Sequence, residues 1–215
     1  MMQFGNPFEN VKNPFANKQD GATTVALTIG FRCPDRGPNS ILGQLDNLAS
    51  KADTSSSNGI ARLCGDTSLA LLRRSNEWIS CCGQAKHKGD DDEALQIFDR
   101  LSVQEAAKFD DRQPSATVDA ALRAAGLPGG GAESGTPTMA VVCVVACVSG
   151  DREEELRKEF QGDATAMKSA LQELAASAQG MDEVFAFELF WVPGEEDDVL
   201  DSDEIMLDWP ELMPC

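Results

Sequence analysis

Between Thr23 and Phe31 apolar side chains fall on every second position: Val25, Leu27, Ile29 and Phe31 share one side of the chain. That period predicts a half-buried strand, ended by the turn signals Cys33-Pro34 and Gly37-Pro38. Beyond Asn39 the period lengthens, and Ile41, Leu42, Leu45, Leu48 and Ala52 recur at helical spacing. The polar cluster Asp53 to Ser57 offers N-cap oxygens for a second helix, with Ile60, Leu63, Cys64, Leu69, Leu71 and Leu72 as its apolar stripe. Arg73 and Arg74 stand at its end, where cations complement the helix dipole. Glu77 to Cys82 reads as a short strand with Trp78 turned inward, and Lys86 to Asp92 as a polar loop. A helix follows from about Glu93 to Asp110, carrying Leu95, Phe98, Leu101 and Phe109. Within it, Ser102 and Glu105 have the spacing of a capping box, which predicts a local restart.

Thr138 to Val148 is a continuous apolar and β-branched run, the pattern of a strand covered on both faces. Asp163 to Ala178 reads as a helix, and Val184 to Val192 as a strand with Phe185, Phe187, Leu189 and Trp191 on one side. Near the end, Asp201 and Glu204 form a capping pair, Leu200 and Ile205 a hydrophobic staple, and Pro210 a stop. The order strand, two helices, strand, helix, strand, helix, strand predicts an α+β domain. Its expected form is a single layered sandwich, with helices packed on a small, mainly antiparallel sheet of about four strands. The expected organisation is an extended N-terminal arm over 1–20, a core domain over 21–194 and an acidic C-terminal segment with a short helix over 195–215. Within the core, 114–137, rich in Gly, Ala, Ser and Pro, is read as a flexible excursion.

Composition narrows the function. The 215 residues can bury one sizeable core. Asp and Glu outnumber Lys and Arg by 36 to 18, giving a net charge of -18, which disfavours nucleic acid and bare anionic lipid as partners. The longest apolar run, Met139 to Val148, is about half of what a membrane-spanning helix needs, so no membrane-spanning segment is expected in this chain. Seven cysteines without an even framework or a C-x-x-C pair fit a compartment that keeps thiols reduced.

Catalytic and cofactor chemistry finds little footing. The single histidine, His87, lies between Lys86 and Lys88 in the polar loop and reads as an exposed side chain. Cys64, Cys81, Cys82 and His87 lack zinc-ligand spacing, because adjacent cysteines do not readily supply two tetrahedral ligands. Cys143 and Cys147 would lie about 13 Å apart on one strand face, too far for a disulfide. Gly129-Gly130-Gly131 lacks the Lys-Ser or Lys-Thr of a phosphate loop. The run Glu195, Glu196, Asp197 and Asp198 lacks the alternation and turning glycine of a calcium loop. No catalytic residue, cofactor or metal is therefore expected. Cys81 and Cys82 remain redox candidates.

Docking features stand out more. From Glu195 onward there are nine acidic residues and no Lys or Arg. With Trp191 and Trp209 as rigid apolar anchors, this predicts a docking surface for a basic protein. In the arm, two Asn-Pro-Phe elements resemble ligands of Eps15-homology domains. The preferred reading lays Phe4, Phe8 and Phe15, with Lys12 and Lys18, along a partner protein or the membrane boundary.

Four blocks together resemble one family. They are Ala52 to Gly59 running into Leu69 to Arg74; Leu101 to Glu105 with Lys108-Phe109-Asp110; Glu188 to Pro193; and Leu200 through Leu207 to Asp208-Trp209-Pro210-Glu211-Leu212. In this order they are similar to a chloroplast and cyanobacterial domain family of unknown function, that of the plant fluctuating-light acclimation protein. The resemblance implies association with thylakoid and envelope membranes and control of non-photochemical quenching and stromal pH. It supplies no catalytic residues to carry over. Full-length members carry a Gly-rich, membrane-spanning N-terminal region where this chain has its arm. The expectation is a non-catalytic accessory or regulatory protein, thylakoid-associated on the stromal side of the chloroplast and docked on a photosystem or antenna complex.

Overall fold

A computed structural model describes residues 20–110, 138–180, 183–194, 200 and 202–215. The expected arm, the 114–137 excursion, the acidic run Glu195 to Asp198 and the Asp201 cap lie outside the described residues.

At the centre are two long strands, β1 (Ala22–Cys33) and β3 (Thr138–Ser149), paired antiparallel along their full length. β2 (Trp78–Lys88) flanks β1 and β5 (Val184–Val192) flanks β3, both antiparallel. Two short strands share the outer side of β2: β4 (Glu159–Gln161) and β6 (Met213–Pro214). Among the described residues the antiparallel sheet has six strands, where about four were expected. β4 and β6 have three and two residues, too few for a period to register, and only their pairing with β2 makes them strands.

Helices cover both faces. α1 (Ile41–Lys51), α2 (Ser57–Arg73) and α4 (Ala164–Ser177) pack on the side formed by Val25, Leu27, Ile29 and Phe31 of β1 and Ala140, Val142, Val144 and Ala146 of β3. Their starts follow the sequence, with the Ser40, Ser56 and Asp163 side chains accepting backbone N–H bonds. α3 (Asp91–Asp110) lies on the opposite face with Ala22, Ala26, Cys143, Val145 and Cys147. α5 (Ser202–Asp208) adds a smaller cluster there, of Val141, Val192, Leu200, Ile205 and Trp209.

This second layer corrects the half-buried reading of β1. Its even positions Ala22, Thr24, Ala26, Thr28 and Gly30 look polar or neutral, but they are small rather than solvated. Thr24 is fully buried and donates its hydroxyl to the carbonyl of Ala94 on α3 at 2.7 Å. Small side chains let a helix approach the sheet closely, and the Thr hydroxyl finds a backbone acceptor there.

Two further expectations change. β2 continues through Lys88, so His87 is on a strand opposite Thr23 rather than in a loop. Its backbone N–H donates to Glu153. Ten paired positions with β1 overrode a sequence that is too polar to look like a strand. α3 also runs unbroken through Ser102, because backbone groups already bonded within a helix leave no free N–H for a capping box to satisfy.

Candidate functional site

The small-residue face of the sheet leaves a cavity of about 610 Å³ between α3, β2 and β4. Its walls include Thr28, Cys82, Gly83, Glu105, Lys108, Phe160 and Glu211. Gly83 is needed for the opposite face of β2, under α1, α2 and α4: a Cβ there would meet the Phe160 ring at 2.5 Å and Leu27 at 2.7 Å.

Three adjacent strands place Cys82, Thr28 and Cys143 side by side, since Thr28 is the register partner of both cysteines. The Thr28 side chain favours the ionised form of both thiols. Burial nevertheless dominates: the Cys82 thiol is pushed up to about 12 and that of Cys143 well above its ordinary value, with the negative charge of Glu105 pushing the same way. Both stay protonated at neutral pH.

Above this row α3 presents Glu105 and Lys108, one helical turn apart. Lys108 bonds Glu105 at 3.0 Å and also Glu211, from the segment between α5 and β6. Burial works against the Lys108 charge, but the Glu211 and Glu105 carboxylates outweigh it and raise its pKa above the ordinary value. Glu105 is 6% exposed, and its second carboxylate oxygen is buried without a hydrogen-bond partner. The trio therefore carries one net negative charge at the rim of the cavity. Geometrically it joins α3 to the last segment of the chain.

The residues picked out by sequence are dispersed. Cys81 and Cys82 point to opposite faces, Cys81 into the cluster under α1, α2 and α4, and Cys82 under α3. They do not act as a vicinal pair. Burial raises the pKa of both, so neither is a thiol that attacks an external oxidant first. Trp209 is 0% exposed and packs edge-on against Phe109 at 5.3 Å, so it anchors the core and is not a surface contact. Trp191 is half-buried on β5. Phe4, Phe8, Phe15, Lys12, Lys18, Glu195, Glu196, Asp197 and Asp198 lie outside the described residues.

Sequence reasoning missed two features. The Glu105-Lys108 spacing was legible as an i,i+3 ion pair, but its third member lies 103 residues away. On α5, Met206 and Leu207 are 66% and 80% exposed, with Asp203, Glu204 and Asp208 on the same short helix. Their signal was two adjacent apolar residues, which cannot both face the core from one helix turn. Among the described residues no helix is long and apolar enough to cross a membrane, and no group of three ligating side chains is placed to hold a metal ion.

Comparison with known proteins gives the chain its relatives. It is 31% identical over 176 residues to "Protein FLAP1 homolog A" of Synechocystis sp., covering 79% of this chain and 50% of that protein. It is 27% identical over 171 residues to "FLUCTUATING-LIGHT-ACCLIMATION protein 1, chloroplastic" of Arabidopsis thaliana, covering 79% of this chain and 41% of that protein. The chain thus spans half or less of the length of these curated relatives. No solved structure matches it. Residues 21–215, the whole of the sheet and both helical layers, match the family model described as "Protein of unknown function (DUF1517)", and the chain belongs to that family.

Proposed function

We propose that this chain is a non-catalytic accessory or regulatory domain in light acclimation, held at the thylakoid by docking on a photosystem or antenna complex on the stromal side of the chloroplast. The acclimation role is taken from the names of its two relatives, one chloroplastic and one cyanobacterial. The observation that carries the docking is the surface of α5. Met206 and Leu207 project from a helix bearing acidic residues in its first turn and no basic residue in its last. An exposed apolar pair within one sign of charge matches a partner with an apolar socket rimmed by Lys or Arg: the charges steer the encounter and the apolar contacts hold it.

The test is to replace Met206 and Leu207 together by Ser in the full chain, solubilise thylakoids gently and separate the complexes by size. Wild-type chain is expected to migrate with a complex at fixed ratio and the variant to run free. Retention of the variant on the complex would overturn α5 as the docking element. A wild-type chain that migrates alone would overturn the peripheral-subunit reading and favour a regulator of quenching and stromal pH.

A further inference from the structure

Six of the seven cysteines are buried, and Cys215 is exposed. The exposed one is not isolated. β6 pairs with β2 so that Met213 lies opposite Cys81 and Pro214 opposite Ser80, and the Cys215 N–H donates to the Ile79 carbonyl at 3.3 Å. Cys215 is thus a diagonal neighbour of Cys81 across the two strands, and after burial the neighbouring Cys215 thiol is the next cause that raises the pKa of Cys81. Diagonal neighbours lie about 7 Å apart between Cα atoms, just beyond what a disulfide spans at rest. Cys215 lies beyond the last paired residue and is held there by that one backbone hydrogen bond, so closing the gap takes a shift of its own backbone.

The β6 attachment is also weak by construction. Proline has no N–H, so Pro214 donates nothing to the ladder. The chain must pass close to Gly162 as well, where a Cβ would meet the Pro214 carbonyl oxygen at 2.6 Å. A two-residue strand with one non-donor is a clasp that a covalent bond would alter measurably.

We infer that Cys81 and Cys215 form a redox-modifiable pair, oxidised by exchange with a low-molecular-weight or protein disulfide to give a covalent clasp between β2 and β6. Cys215, the accessible thiol, attacks the external disulfide as its thiolate; a mixed disulfide forms and one thiol leaves. Cys81 then gives up its proton and attacks the Cys215 sulfur, releasing the second thiol. Two protein thiols and one external disulfide become one protein disulfide and two free thiols, so atoms and electrons balance. The clasp fixes the segment that carries Glu211 and follows α5. Its formation does not depend on docking.

The experiment incubates the full chain with oxidised glutathione and follows intact mass and disulfide-mapped peptides. The expected result is a loss of two hydrogens and a cross-linked peptide joining Cys81 to Cys215, with slower hydrogen exchange at the Cys215 amide. Cys215→Ser is expected to stay reduced, and Cys81→Ala to stop at a glutathione adduct on Cys215. The inference is overturned if the wild-type chain stops at that adduct, if Cys215→Ser oxidises equally, or if the cross-link joins other cysteines. No change of mass, in a buffer where the denatured chain oxidises, would overturn it as well.

Discussion

Lys108 on α3 and Glu211, 103 residues further along, form an ion pair that ties a helix on the sheet's second face to the segment leading into β6. Glu105 lies on the other side of the same ammonium group. Because Glu105 is buried and one of its oxygens is already unpartnered, Lys108 is what makes its charge tolerable there.

Replacing Lys108 by Met should therefore destabilise the domain more than loss of a surface ion pair would. A buried charge left without its partner costs about 3–5 kcal/mol; with Lys108 and Glu211 about one third exposed, about 2 kcal/mol is expected. Replacing Glu105 by Met in the same chain should return most of it, because no buried charge is then left unpaired. Urea midpoints of the single and double variants check this, and equal midpoints for the two would refute it.

Trp209 and Leu207 should behave oppositely although they are two residues apart. Trp209→Ala removes a fully buried side chain packed on Phe109 and should cost about 3–5 kcal/mol. Leu207→Ala, at a position 80% exposed, should change stability by less than about 0.5 kcal/mol while weakening docking. Thermal melts of the two variants separate the core role from the surface role.

Gly83→Ala should be destabilising by about 1–3 kcal/mol, since the new methyl meets Phe160 and Leu27 well inside contact distance. Truncating Phe160 to Leu in the same chain should recover part of the loss, and chemical denaturation reads both.

Stability should be lost on the alkaline side. Cys64 and Cys82 are raised by burial from 9.0 to about 12, and Cys33, Cys81, Cys143 and Cys147 are also raised, burial being the main cause in each. A pKa raised on folding means that between about 9 and 12 the folded chain holds protons the unfolded chain has released. Stability from these groups is thus complete below pH 9 and falls as pH rises towards 12, by up to about 1.4 kcal/mol per pH unit per thiol. Unfolding free energies at pH 8 and pH 10 in reductant test the sign; an unchanged value would contradict it.

The sequence by itself determined what rests on local periodicity and caps. The α1, α2 and α4 helices, the Ser56 and Asp163 caps, the buried run of β3 and the apolar side of β1 were all legible, because each is decided within a few residues. The family was legible too, from four blocks spread along the chain and matched over residues 21–215. Tertiary structure decided what depends on distant partners. Polar Lys86 to Lys88 became strand through pairing with β1. Trp209 went to the core because Phe109 was there to receive it, leaving Met206 and Leu207 outside. Cys81 found Cys215 and Lys108 found Glu211 only when the final segment returned to the outer side of β2. Such contacts leave no period in the sequence, since they are fixed by which surfaces remain open after the sheet has formed.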